Sequence, residues 1–135
     1  MILGVDPGGR RVGIAVADIH TRLARPLEVI DSKLVDPVAR ITSLASQLTA
    51  KRIVVGRPTS LAGTEGPAVA VQQDFVARLR EASDVEVEEW DERLTTVIAE
   101  QQMRAGGASA ETRKQWRDAV AAQVMLQSYM DAAWH

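Results

Sequence analysis

The sequence predicts an α/β fold: a mixed five-stranded sheet in the order 3-2-1-4-5, the first three strands antiparallel, with helices on its faces. Three observations predict it. The chain opens with three apolar segments separated by short turns, close enough to form an antiparallel meander. Helical apolar spacing then alternates with strand-length apolar runs, the pattern of parallel crossovers. Residues 1–135 are 46% apolar and show no repeat, linker or low-complexity stretch, so one domain with one core is expected.

Strand one is expected over Ile2–Asp6, followed by a tight turn at Pro7-Gly8-Gly9. Strand two runs from Arg11 to Ala17. Val12, Ile14 and Val16 alternate there with the small Gly13, Ala15 and Ala17. A third strand covers about Arg25–Ile30 after a polar turn. Asp36-Pro37 reads as an N-cap with proline at the first helical position, and Val38, Ile41, Leu44, Ala45 and Leu48 follow at helical spacing. Arg52–Gly56 is the fourth strand. Pro67 opens a second helix, with Val71, Phe75, Val76 and Leu79 on its buried side. Val85–Trp90 is the fifth strand, and a last helix runs from near Glu111 towards Ala132.

Composition removes several classes of chemistry. The absence of cysteine excludes disulfides, zinc-thiolate sites and cysteine catalysis. The only histidines, His20 and the terminal His135, argue against a histidine-rich metal site or a Ser-His-Asp triad. No apolar run approaches the ~20 residues of a membrane span, and the first residues carry no signal-peptide pattern. A cytoplasmic location without membrane contact is therefore expected. The net charge of −2 argues against a uniformly basic surface, but leaves local basic patches open.

The acids at element ends carry the chemistry. Asp6 ends strand one, Glu65 follows strand four, Asp91 and Glu92 end strand five, and Asp118 lies early in the last helix. Parallel strands one, four and five would present their carboxyl ends on one edge, where ligand sites of open sheets gather. Asp118 shares a helix face with Ala121, Ala122, Met125 and Tyr129, so it heads an apolar, core-facing stripe. Each acid also has a plain structural role available. Asp6 can start a turn, Glu65 can favour a first helical turn, Asp91 or Glu92 can pair with Arg93, and Asp118 can pair with Lys114. Several carboxylates converging on one edge repel one another and require a cation. Oxygen ligands without histidine or cysteine suit Mg2+ or Mn2+.

Arg10, Arg11, Arg57 and Arg93 lie beside the same edge, where arginine can clamp phosphate. Backbone N–H groups of Gly8-Gly9, and of the Gly63–Gly66 stretch that includes Thr64, can add phosphate contacts. Thr95 and Thr96 can bind substrate or cap the next helix. No Gly-Lys-Ser/Thr follows Pro7-Gly8-Gly9, so it is not a P-loop.

Four ordered segments, GVDPGGRRVGIAVAD, VVGRPTSLAGTEGP, WDERLTTVIAE and RDAVAAQVMLQSYMD, span almost the whole chain. With them it resembles the YqgF family, also called RuvX, of ribonuclease H-like proteins related to Holliday junction resolvases. The resemblance implies a ribonuclease H-like fold and a nuclease acting in 5′-end maturation of pre-16S rRNA. It places the metal-binding acids at Asp6, in the Asp91-Glu92 pair and at Asp118, all present here. Two departures stand out: Ile98, where a Glu is common, and Trp116, in place of a smaller or polar residue.

The leading expectation is a nuclease using Mg2+ or Mn2+, two ions, on structured RNA, with DNA as a further substrate and pre-ribosomal particles as partners. Glu92 is favoured over Asp91 as the ligand, although alternation leaves both open: Asp91 falls in phase with Val85 and Val87, Glu92 with Trp90. A non-catalytic ribosome-assembly module would be favoured by loss of a core acid. A junction resolvase would need a dimer, and few aromatics and no heptad point to a monomer or weak dimer. Two-domain sugar kinases and actin-like ATPases of the same superfamily are too large for this length.

Overall fold

The computed structural model describes residues 1–58, 67–92, 105 and 110–134. Strands β1 (Ile2–Gly8), β2 (Arg11–Ala17) and β3 (Ala24–Asp31) are followed by helix α1 (Pro37–Gln47), strand β4 (Arg52–Pro58), helix α2 (Pro67–Ala82), strand β5 (Glu86–Glu92) and helix α3 (Ala110–Ala132). The sheet order is β3-β2-β1-β4-β5. β1 pairs antiparallel with β2 and parallel with β4, and β5 extends the parallel half. The expected topology is the observed one.

Alternation along the central strands divides the core into two layers. Leu3, Val5, Ile53 and Val55 face α1 and α2, where they meet Ile41, Leu44, Val76 and Leu79. Ile2, Ala15, Ala17 and Val54 face α3 and pack on Ala122, Met125, Leu126, Tyr129 and Met130. Burial of each large apolar side chain contributes about 1.5–3 kcal/mol, so α3 is held down mainly by this stripe. Asp36 caps α1 as its sequence implies, its side chain accepting from the Val38 N–H at 3.2 Å.

Two expectations need correction. β1 does not stop at Asp6. Pro7 and Gly8 stay in the ladder opposite Val12 and Arg11, and the hairpin turns at Gly9-Arg10, with Gly9 at φ +48°. Proline is tolerated there because its missing N–H removes only one ladder bond near the strand end. Val71 is not buried but 69% exposed, whereas Val76 and Leu79 enter the core. The inward face is set by Gln72, Val76 and Leu79 at i, i+4 and i+7, and the buried Gln72 donates to the Gly56 carbonyl at 3.3 Å, which turns Val71 outward. Among the described residues no helix is long and apolar enough to cross a membrane.

Candidate active site

α3 runs back across the sheet antiparallel to β1. Leu126 sits over Gly4 near the start of β1, and Asp118 over Gly13 and Gly8 near its end. Gly13 is the register partner of Asp6. A Cβ built on Gly13 would lie 1.9 Å from the Asp118 carbonyl oxygen and 2.9 Å from Ala119 N. Only glycine lets the helix come this close. A Cβ built on Gly8 would lie 4.0 Å from Asp118 Oδ1, so Gly8 keeps the space beside that carboxylate open. Asp6 alternates with Leu3 and Val5 of the opposite layer, which puts it on the α3 side of the sheet. Asp6 and Asp118, both half-buried, therefore flank Gly13 at the carboxyl end of β1.

Several polar contacts fix α3 lengthwise. Gln123 Nε2 donates to Ala24 O at 3.1 Å, Gln127 Nε2 donates to Arg22 O at 2.8 Å, and Gln127 Oε1 accepts from Ala24 N at 2.9 Å. Farther along, the buried Tyr129 hydroxyl donates to Glu88 Oε2 at 2.9 Å and accepts from Arg52, which also meets Glu86 and the face of Trp134. Burial pushes the Tyr129 hydroxyl above its ordinary range. Trp90 stacks edge-on against the Tyr129 ring, centroids 5.4 Å apart. Glutamines spaced four apart beside an apolar stripe were the sequence signal for these ties.

The acidic pair of β5 is split by register. Asp91 is opposite Arg57, in the alternation set of Val87, whose side chain lies in the α1/α2 layer. Position 92 is opposite Pro58, in the alternation set of Trp90, which packs in the α3 layer. The strand keeps its phase to the end, so the backbone puts position 92, not Asp91, in the set shared with Asp6. Among the described residues no three histidine, cysteine or acidic side chains form a metal-sized group. The Glu92 side chain lies outside what is described, as do Glu65, Thr64, Arg93, Thr95, Thr96, Ile98 and the side chain of Lys114. Trp116 is 41% exposed.

Arg10 and Arg57 differ in setting. Arg10 forms a forked pair with Asp31, Nε to Oδ1 at 3.1 Å and Nη2 to Oδ2 at 2.9 Å. That guanidinium, with the Lys33 backbone N–H, holds the Asp31 carboxyl below the usual carboxylate range. Arg57 is exposed at the end of β4, in the alternation set of Ile53 and Val55, which faces the α1/α2 layer rather than Asp6. Gly8 and Gly9 are exposed at the hairpin tip, where their backbone can meet a ligand.

A family model described as "RuvX: Holliday junction resolvase" matches residues 1–132. A protein of Chloroflexus aggregans is 41% identical over 132 residues, covering 97% of this chain and 93% of its own. One from Anaeromyxobacter dehalogenans is 42% identical over 130 residues, covering 96% of this chain and 95% of its own. Both carry the name "Putative pre-16S rRNA nuclease". Among solved structures, Thermus thermophilus RuvC in complex with a Holliday junction substrate aligns with a TM-score of 0.60 at 17% identity, covering 98% of this chain and 95% of that one. The fowlpox virus Holliday junction resolvase aligns with a TM-score of 0.56 at 13% identity, covering 97% and 98%. At these identities the likeness is one of fold.

Proposed function

The chain belongs to the RuvX family, and from that premise we propose that it is a metal-dependent nuclease hydrolysing phosphodiester bonds in structured RNA, its task being 5′-end maturation of pre-16S rRNA. The names of its relatives support the substrate. The observation that carries the chemistry is the placement of Asp118 on Gly13, beside Asp6, at the carboxyl ends of the parallel strands.

Asp6 and Asp118 lie on the same side of the sheet at one edge, and a cation bound between such carboxylates would relieve their mutual repulsion. Their all-oxygen donor set, beside the opening that Gly8 leaves, suits Mg2+ or Mn2+. Asp6 and Asp118 would hold the ions, with Glu92 as third ligand. The chemistry such ions supply is charge stabilisation at phosphate oxygens and activation of water. The protein's own part is placement: β1 and β2 fix Asp6, and the glycine contact fixes Asp118. Backbone N–H groups at Gly8 and Gly9 would align the substrate on the Asp6 side, with Arg57, from the opposite alternation set at the strand end, and Thr64, Arg93, Thr95 and Thr96 as further contacts.

The test is the pair Asp6→Asn and Asp118→Asn, near-isosteric changes that each remove one ligand charge. Each should abolish cleavage and weaken Mn2+ binding measured by calorimetry, with the circular dichroism spectrum unchanged. Full activity in either well-folded variant would refute the assignment.

A further inference from the structure

Two consecutive arginines at the β1–β2 hairpin have different surroundings. Arg10 is built into the scaffold. Its guanidinium holds Asp31, and its carbonyl accepts from Ser32 N at 2.8 Å and Ser32 Oγ at 2.7 Å. These bonds fasten the hairpin tip to the end of β3.

Arg11 begins β2 on the other side. Val12 after it enters the α1/α2 layer, so Arg11 belongs to the alternation set of Gly13, Ala15 and Ala17, on the α3 side. Directly opposite is Gly8, the residue whose missing side chain leaves room beside Asp118 Oδ1. Arg11 is exposed, and its guanidinium makes no hydrogen bond or ion pair with another described residue. Its register partner on β3, Asp31, is hydrogen-bonded by Arg10, and Arg11 reaches that carboxylate only through its charge, as a lesser cause of the lowered Asp31 pKa.

An edge lined by carboxylates repels a polyanion. A guanidinium on that same side, with its donors free, offsets the repulsion and can grip a phosphate through two parallel N–H bonds. We propose that Arg11 binds a backbone phosphate of the nucleic-acid strand lying at the acidic edge, while Arg10 holds the hairpin that presents it. This rests on the nuclease reading above.

The experiment is fluorescence anisotropy of the full chain with a short single-stranded RNA and with the matching DNA duplex. It is run over a range of salt concentrations, once with chelator and once with Ca2+. In Arg11→Ala the slope of log K against log salt should become shallower by about 0.7 on the single strand and 0.9 on the duplex, one phosphate contact's share. Arg11→Lys should restore the slope, because a point charge releases the same counterions. The double variant Arg10→Ala/Asp31→Asn removes both halves of the structural pair, so Asp31 cannot recapture Arg11. It should keep the wild-type slope while its thermal midpoint falls, whereas the midpoint of Arg11→Ala should not move. A wild-type slope in Arg11→Ala, or an equal loss of slope in the double variant, overturns the proposal and leaves the nuclease reading standing. No salt-dependent binding by the unaltered chain to either probe overturns both.

Discussion

Replacing Gly13 with Ala tests the geometry on which the site depends. The added methyl would lie 1.9 Å from the Asp118 carbonyl oxygen, 2.3 Å from its carbon and 2.9 Å from Ala119 N. All three are backbone atoms of a packed helix, so no rotamer change relieves the clash. Ordinary contact is restored only if this end of α3 retreats by about 1.5 Å. Overpacking of this kind costs about 1–3 kcal/mol, and for a domain of this size the midpoint should fall by roughly 3–15 °C. Activity should suffer more than stability. A shift of about 1 Å in a catalytic group can cost 10²-fold in rate, and Asp118 moves with the helix end. Cleavage and Mn2+ affinity would be measured well below the midpoint, beside Ile41→Val as a control. Ile41 is fully buried in the opposite layer, so its truncation costs about 0.5–1.5 kcal/mol and leaves α3 in place. A folded Gly13→Ala protein with wild-type cleavage and Mn2+ affinity would refute the reasoning.

Other outcomes follow from the same structure. Arg57→Ala should weaken substrate binding and flatten its salt dependence by about one unit of slope or slightly less, and an unchanged slope would show that Arg57 meets no phosphate. Acid stability should depend on Asp31. Its folded-state pKa is depressed, first by the Arg10 hydrogen bond and then by the Lys33 N–H, so its contribution is present above the unfolded value of about 4 and is lost as pH falls through the lower folded value. Thermal midpoints of Asp31→Asn should therefore fall less steeply below about pH 4 than those of the unaltered chain, and parallel curves would contradict that.

Topology was legible because each element carries one clear period. The meander shows in the alternation of Val12, Ile14 and Val16, and the crossovers in helical runs between apolar strands. Element ends were less so. Pro7-Gly8-Gly9 has turn composition, yet register with β2 keeps Pro7 and Gly8 in the ladder and moves the turn to Gly9-Arg10. The closeness of Asp118 to the edge could be read from its place at the head of the Ala122, Met125, Tyr129 stripe. Its contact with Gly13 could not, because a strand glycine serves equally for a bulge, a bend or a close approach. Choosing between positions 91 and 92 needed the β4–β5 register, since only pairing shows whether alternation survives to the strand end. Arg10 and Arg11 are chemically identical neighbours, and only the hairpin and Asp31 separate them.

Acids at this edge would hold the divalent ions that drive hydrolysis of RNA. The most direct measurement is cleavage of matched structured RNA, duplex DNA and four-way junction by the full chain, with Mg2+, with Mn2+ and with chelator. RNA should be cut at least as well as duplex DNA, junctions should be poor substrates for a monomer, and chelator should stop cleavage. RNA cleavage unaffected by chelator would contradict the metal assignment. Symmetric, paired nicking of the junction by a stable dimer, with RNA left intact, would contradict the substrate.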